Sequence, residues 1–333
     1  MNTYSLEIHM QRRSSLNGHE TLIREVRRGM LRQPRSLAPW MFYDARGSRL
    51  FERITKLPEY YPTRTERSIF SSFCDDIIAA ACPDKSQPLR VVELGAGTAS
   101  KTTILLDAAV RLQSDVLCAP VDVSSDALHV ACKTIASSFP EVCVEPIVAN
   151  YVLHPLELES FDGATLGVYI GSSIGNFSPG EARSILRNLR AQLQSGDALL
   201  LGTDMVKDEP TLVAAYDDKD GVTADFNLNI LHRLNRELGA NFNTSKFRHR
   251  VLWNSEQSRI EMHLESTNDQ VVHIDAAHLE LHFAKNERIH TENSYKFTNE
   301  TIRNLLEDAS FDVEHTWTDE RRWYSVTLAR IRQ

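Results

Sequence analysis

The chain of 333 residues is 42% hydrophobic and 25% charged, the balance of a globular protein with a sizeable core in one large domain or two modest ones. Its formal net charge of -8 speaks against nucleic acid as the main partner, because phosphate recognition leans on Lys and Arg. No apolar run approaches the length of a membrane span; the stretch from Asp75 to Cys82 is among the best and is far too short.

The opening residues, 1–15, lack the apolar centre of a signal peptide. A short helix is expected over Thr21 to Leu31, then an irregular turn, a second helix from Gly47 to Thr55, and a loop punctuated by Pro58 and Pro62. This aromatic and proline-rich beginning reads as a wall or lid. From about Thr65 the pattern changes. A helix from Glu66 to Ala81 leads to the apolar run Arg90–Leu94, a Gly-Ala-Gly turn and a helix from Lys101 to Ala109. Further apolar runs follow at Leu117–Val121, Val142–Val148, Ala164–Ile170 and Ala198–Gly202, separated by helical patterns over Asp126 to Ser138 and Pro179 to Gln194. Strands alternating with helices at this spacing predict a doubly wound, parallel α/β sheet.

After Asp204 the alternation stops. A helix, a polar turn and a helix from Val222 to Leu238 precede period-two patterns at Phe247–Asn254, Ser258–Ser266, Gln270–Ile274 and His278–Phe283, an α+β insertion with antiparallel strands. A helix from Asn299 to Ala309 and strands Phe311–Thr318 and Trp323–Arg330 then close the main sheet. The five cysteines (Cys74, Cys82, Cys118, Cys132 and Cys143) form no CxxC pair and read as reduced thiols of a cytoplasmic protein. His278 and His282 are four apart, but HLELHF alternates like a strand and has no companion ligands, so no metal is expected. The basic cluster Arg24, Arg27, Arg28, Arg32 and Arg35 reads as a solvated helix face rather than an RNA site.

The chemistry is concentrated at strand ends. Glu93 precedes Gly95-Ala96-Gly97, where glycines let a ligand approach the backbone. The third glycine of a dinucleotide fingerprint is replaced by Ser100, so S-adenosylmethionine, which has no phosphate, fits better than a nicotinamide or flavin. Asp122 ends the next strand, placed either for ribose hydroxyls or as a helix N-cap. Asn150 and Tyr151 can hold adenine by an amide bond and a stacked ring. The loop from Tyr169 to Asn176 lacks the Asp/Asn-Pro-Pro-aromatic grip of nucleobase amino-methyltransferases, and its Gly, Ser and Asn residues suit a small polar acceptor.

From about Leu22 to Leu328 the chain resembles the histidine-specific Nα-methyltransferases of ergothioneine biosynthesis. The resemblance is carried by FYDARGSRLFERITKLPEYYPTRTE, VELGAGTASKT, GSSIGNF, LLLGTDMVKDEPTLVAAYDD, GVTADFNLNIL, RIEMHLES and TENSYKF. It implies a class I Rossmann-like S-adenosylmethionine-dependent methyltransferase domain, 65–205 with 297–333, and an α+β substrate-binding domain, 1–64 with 206–296. It implies Tyr43, Gly95, Lys101 and Asp122 at the cosubstrate, joining Glu93, Gly97, Asn150 and Tyr151 from the motifs. Asn176 and Tyr216 would hold the amino acid head, with Tyr43 also placed to take the amine proton. Glu292 and Ser294 would recognise the imidazole, with Tyr60 nearby and Phe51, Gly171, Thr223 and Met262 lining the pocket. The expected reaction is Nα-methylation of L-histidine, through to the trimethylated betaine hercynine, by a cytoplasmic monomer with neither nucleic-acid nor membrane partner.

Two departures stand out. Asn150-Tyr151 replaces the family's usual Asp-Phe, and Asn293 replaces an aliphatic residue. In an extended segment Asn293 should point away from Glu292 and Ser294, which share a face. The alternatives are a related enzyme acting on another amino acid such as tryptophan, and a non-catalytic module that binds S-adenosylmethionine; for Glu292 itself the plainer reading is a surface ion pair with Lys296.

Overall fold

The computed structural model describes residues 18–152 and 154–332, so the opening stretch of the sequence lies outside the described residues. The described chain divides into two compact units, 64–205 with 297–332 and 18–63 with 206–296. In chain order the elements are α1 (Gly18–Met30), β1 (Arg35–Ser36), α2 (Ala45–Ile54), α3 (Tyr61–Ala81), β2 (Leu89–Leu94), α4 (Thr102–Leu112) and β3 (Val116–Asp122). Next come α5 (Ser125–Ser138), β4 (Cys143–Val144), β5 (Ile147–Val148), β6 (Ala164–Tyr169), α6 (Pro179–Arg190), β7 (Ala198–Asp204), α7 (Glu209–Ala214) and α8 (Val222–Leu238). The last are β8 (Phe247–Asn254), β9 (Arg259–Ser266), β10 (Gln270–Ile274), β11 (Leu279–Phe283), β12 (Arg288–Tyr295), α9 (Asn299–Asp308), β13 (Phe311–Thr318) and β14 (Tyr324–Ile331).

The first unit is built on a sheet ordered β13-β14-β7-β6-β2-β3-β4, with β5 also paired to β3. The pairs from β7 to β4 are parallel, whereas β14 runs antiparallel to β7 and forms a hairpin with β13. This is the expected α/β, class I Rossmann-like arrangement. Every residue of β2, β6 and β7 is buried, which is why these strands are mostly apolar rather than alternating, with Arg90, Glu93, Thr165, Thr203 and Asp204 as buried polar exceptions. Helix starts are set by capping chemistry: Ser124 caps α5, and Ser178 with Glu181 forms a capping box ahead of α6.

The second unit has a four-stranded sheet, β1-β12-β9-β8, and a β10–β11 hairpin. Its central helix, α8, places Val222, Phe226, Ile230, Leu234 and Leu238 on one buried face by four-residue spacing, and stops at Gly239 in the left-handed region, φ 62. The helix lies against β9, on which Ile260, Met262 and Leu264 are alternate buried residues.

Several expectations are corrected. Pro62 does not sit in a loop; it enters the first turn of α3, where its missing N–H costs no helical bond. The run Val142–Val148 is two short strands, because Pro146 interrupts the ladder between β4 and β5. His278 adopts φ 48 and precedes β11 instead of opening it. Arg288–Tyr295 forms a full strand that the period-two search did not single out, because a bulge between His290 and Glu292 breaks its alternation. Arg35 is not part of a solvated face: its guanidinium bonds Glu287 at 2.8 Å and lies 4.9 Å over the Phe283 ring. No helix among the described residues is long and apolar enough to cross a membrane.

Candidate active site

In the first unit, the turn after β2 is tied to the neighbouring strand by the N–H groups of Gly95 and Ala96, both donating to the Val121 carbonyl. Gly95 and Gly97 have φ of 70 and 54, conformations that favour glycine. The space around them differs. A Cβ on Gly97 would meet nothing within 4 Å, leaving an open cradle at the backbone, whereas one on Gly95 would sit 2.9 Å from the Tyr151 hydroxyl. Asp122 ends β3 beside this turn, with Oδ2 accepting from Gly97 N–H at 3.0 Å and Oδ1 from Ser124 N–H at 2.9 Å. Ser124, not Asp122, is the N-cap of α5. Burial raises the Asp122 carboxyl and these N–H donors oppose it, while each oxygen keeps a lone pair for a ligand hydroxyl.

Glu93 is 3% exposed and accepts a hydrogen bond from the Thr102 hydroxyl. Burial pushes its carboxyl up to about 7, against the pull of Thr102 and of the Lys101 charge. Lys101 stands at the N-cap of α4, and its Nζ meets Glu66 Oε2 at 2.5 Å. The other Glu66 oxygen accepts from Gly171 N–H at 2.8 Å and from the Tyr324 hydroxyl at 2.7 Å. Gly171 has φ 79 and lies so close that a Cβ there would be 2.9 Å from Lys101 Nζ. Asn176 closes the 3-10 turn Ser173–Asn176 that follows β6 and is half-buried. Tyr151 packs edge-on to Tyr169 at 5.9 Å, and burial pushes its hydroxyl up. Asn150 precedes it, half-buried.

In the second unit, Tyr43, Phe51, Tyr60, Tyr216 and Phe226 form a continuous aromatic cluster. Tyr43 meets Phe51 and Phe226 edge-on at 5.8 Å each, Phe51 meets Tyr60 at 6.2 Å, and Tyr60 meets Tyr216 at 6.2 Å. Thr223 is buried in the first turn of α8, its N–H bonded to Asp218. On β9, Met262 lies directly across from Glu292 of β12 and is 2% exposed.

Glu292 and Ser294 are both buried on one face of β12, while Asn293 turns its amide to His290 Nε2 at 2.9 Å, as the alternation of an extended chain requires. Glu292 is therefore not part of a surface pair. Burial pushes its carboxyl up to about 8, and the Lys296 charge works the other way. Ser294 Oγ is 2.7 Å from the Tyr216 hydroxyl, and Lys296 Nζ donates to both. Behind Tyr216, His249 Nε2 bonds its backbone carbonyl at 2.9 Å, and His249 Nδ1 meets the Asn227 amide at 2.8 Å.

Glu93, Gly95, Gly97, Lys101, Asp122, Asn150, Tyr151, Gly171 and Asn176 lie in the first unit. Tyr43, Phe51, Tyr60, Tyr216, Thr223, Met262, Glu292 and Ser294 lie in the second. His278 and His282 are not brought together as ligands: His282 is exposed and bonds Glu280. Sequence reasoning missed Glu66 and Phe226, and named Lys296 only as a surface partner of Glu292. Glu66 and Lys296 stand inside two of the quoted blocks, TRTE and TENSYKF, but their meaning depends on partners far away in the chain.

Residues 22–331 match the family described as histidine-specific methyltransferase, SAM-dependent. The chain is 43% identical to the histidine N-alpha-methyltransferase of Mycolicibacterium smegmatis over 310 residues, 93% of this chain and 95% of that one. It is 40% identical to the protein of the same name from Mycobacterium tuberculosis, over 94% of this chain and 95% of that one. It is 28% identical to ergothioneine biosynthesis protein 1 of Schizosaccharomyces pombe, over 82% of this chain and 36% of that longer protein. The chain belongs to the histidine-specific, S-adenosylmethionine-dependent methyltransferase family.

Proposed function

We propose that this enzyme methylates the α-amine of L-histidine, through to hercynine, the first step of ergothioneine biosynthesis. The observation that carries the reading is Glu292, a carboxyl 7% exposed on the same strand face as Ser294. A buried carboxylate needs a donor, and imidazole supplies one together with an acceptor for a hydroxyl. Indole supplies only the donor. The amino acid head is assigned to Asn176 and Tyr216, and Phe51, Tyr60, Gly171, Thr223 and Met262 to the lining.

When bound, S-adenosylmethionine supplies an electrophilic methyl on a sulfonium. The residues that fit it are the open glycine turn, Asp122 for ribose hydroxyls, Lys101 for the carboxylate of its amino acid tail, Asn150 and Tyr151 for adenine, and Glu93 beneath the turn. The chain's own part is chiefly positioning, which can account for about 7–11 kcal/mol of a barrier between two bound reactants. The α-amine is mostly protonated at neutral pH and must lose that proton before it attacks. Tyr43 is assigned to orient the water that receives it, and the neighbouring aromatic faces tolerate a growing cationic head.

The test is mass spectrometry of a reaction containing the protein, S-adenosylmethionine and a mixture of the proteinogenic amino acids. Trimethylated histidine as the sole product supports the reading. Methylation of tryptophan or another residue instead overturns the role of Glu292, and intact cosubstrate binding without product supports a non-catalytic module.

A further inference from the structure

Lys296 is 3% exposed, its ammonium buried rather than in solvent. Its Nζ donates to the Tyr216 hydroxyl at 2.9 Å and to Ser294 Oγ at 2.7 Å, and sits 4.7 Å from the Tyr216 ring centre. The two hydroxyls are themselves 2.7 Å apart. This triangle has a direction. An ammonium can only donate, so each hydroxyl oxygen gives it a lone pair. Either hydroxyl can be the donor within that pair, and the phenol is the stronger acid; with the phenol as donor, the serine oxygen accepts twice. Both Ser294 lone pairs are then taken, and its own proton is left for another acceptor. On the same strand face stands Glu292, which once ionised can only accept.

We propose that Lys296 is a specificity-determining residue that locks Ser294 as a donor. The site then selects a ring with both an N–H and an acceptor nitrogen, the neutral imidazole, over donor-only rings such as indole and pyrrole. The inference rests on Glu292 and Ser294 being the imidazole partners. Lys296 acts through Ser294 as a positioning residue. Without the ammonium, Ser294 regains a lone pair, can turn to accept, and stops discriminating.

The test is calorimetric binding to the full chain in the presence of S-adenosylhomocysteine. The ligands are L-histidine, thiazolylalanine (an acceptor nitrogen and no N–H) and pyrrolylalanine (an N–H and no acceptor). Lys296→Met should weaken histidine and thiazolylalanine about tenfold and leave pyrrolylalanine within about twofold, the scale of one oriented hydrogen bond. Lys296→Arg, which keeps the donors, should restore much of the loss. Ser294→Ala, a milder change to the fold, should reproduce the pattern, and adding Lys296→Met to it should change little more. Equal weakening of all three ligands by Lys296→Met, or fold-changes that simply multiply in the double variant, would overturn the proposal. A wild-type protein that binds histidine and pyrrolylalanine equally overturns instead the imidazole reading of Glu292 and Ser294.

Discussion

Glu66 holds Lys101 with one carboxylate oxygen, Oε2 to Nζ at 2.5 Å, and commits the other to the Gly171 N–H and the Tyr324 hydroxyl. The carboxylate is 0% exposed, and Gly202 of β7 leaves the space it fills. One buried charge therefore fixes three groups at the carboxyl end of the parallel strands. Removing one partner of a buried ion pair costs about 3–5 kcal/mol, because the other charge is left unpaired. Glu66→Ala should lower the urea midpoint by an amount on that scale at unchanged slope, and Glu66→Gln by less. Because Lys101 is assigned to the cosubstrate, both variants should raise the KM for S-adenosylmethionine more than they lower kcat.

Asp122 organises the glycine turn through Gly97 and Ser124. Hydrogen bonds to a charged acceptor are worth about 1.5–3 kcal/mol, or about 10- to 100-fold in affinity. Asp122→Ala should raise the S-adenosylmethionine KM within that range and leave the histidine KM nearly unchanged. A larger effect on histidine would reverse the assignment.

Gly97 and Gly95 can be told apart by substitution. Both pay about 1 kcal/mol for a left-handed non-glycine residue. Gly97→Ala meets open space, so its stability loss should stop there while cosubstrate affinity falls, because the methyl occupies the cradle. Gly95→Ala should cost more stability, since the methyl meets the Tyr151 hydroxyl. Thermal melts alongside cosubstrate titrations separate the two effects. Tyr151→Phe, which restores the family's usual ring, removes the hydroxyl that a Gly95 methyl would meet and should lessen the stability cost of Gly95→Ala.

Two buried carboxyls make the ligand-free protein sensitive to base. Glu93 is pushed up to about 7 and Glu292 to about 8, from an ordinary value of 4.5. Between the ordinary value and the raised ones the native state holds protons that the unfolded chain has released. Their contribution is complete below the unfolded value and is lost as pH rises through about 7 and 8. The urea midpoint should fall with rising pH across this window, and Glu292→Gln should flatten part of the decline. An imidazole N–H given to Glu292 lowers its carboxyl again. Histidine binding near neutral pH should therefore release a proton from the protein, visible as a dependence of binding heat on the buffer's ionisation enthalpy.

The alternation of helices with apolar runs, the Gly-Ala-Gly turn and the acids at Glu93 and Asp122 were legible in the sequence because they are local. Strand period, turn chemistry and capping act over a few residues, so the doubly wound sheet and the long helix from Val222 to Leu238 could be read from the order of side chains. The shared face of Glu292 and Ser294 follows from the same local geometry. What only the tertiary structure decided depends on contacts between distant positions: Glu66 with Lys101 and Tyr324, Lys296 with Tyr216, and Tyr43 within an aromatic cluster completed by Phe226. Charge and burial at such points are set by what the fold brings within about 3 Å, the range of a hydrogen bond. That is why Glu292 could be read from sequence either as a surface partner of Lys296 or as a buried group, and only packing made it buried.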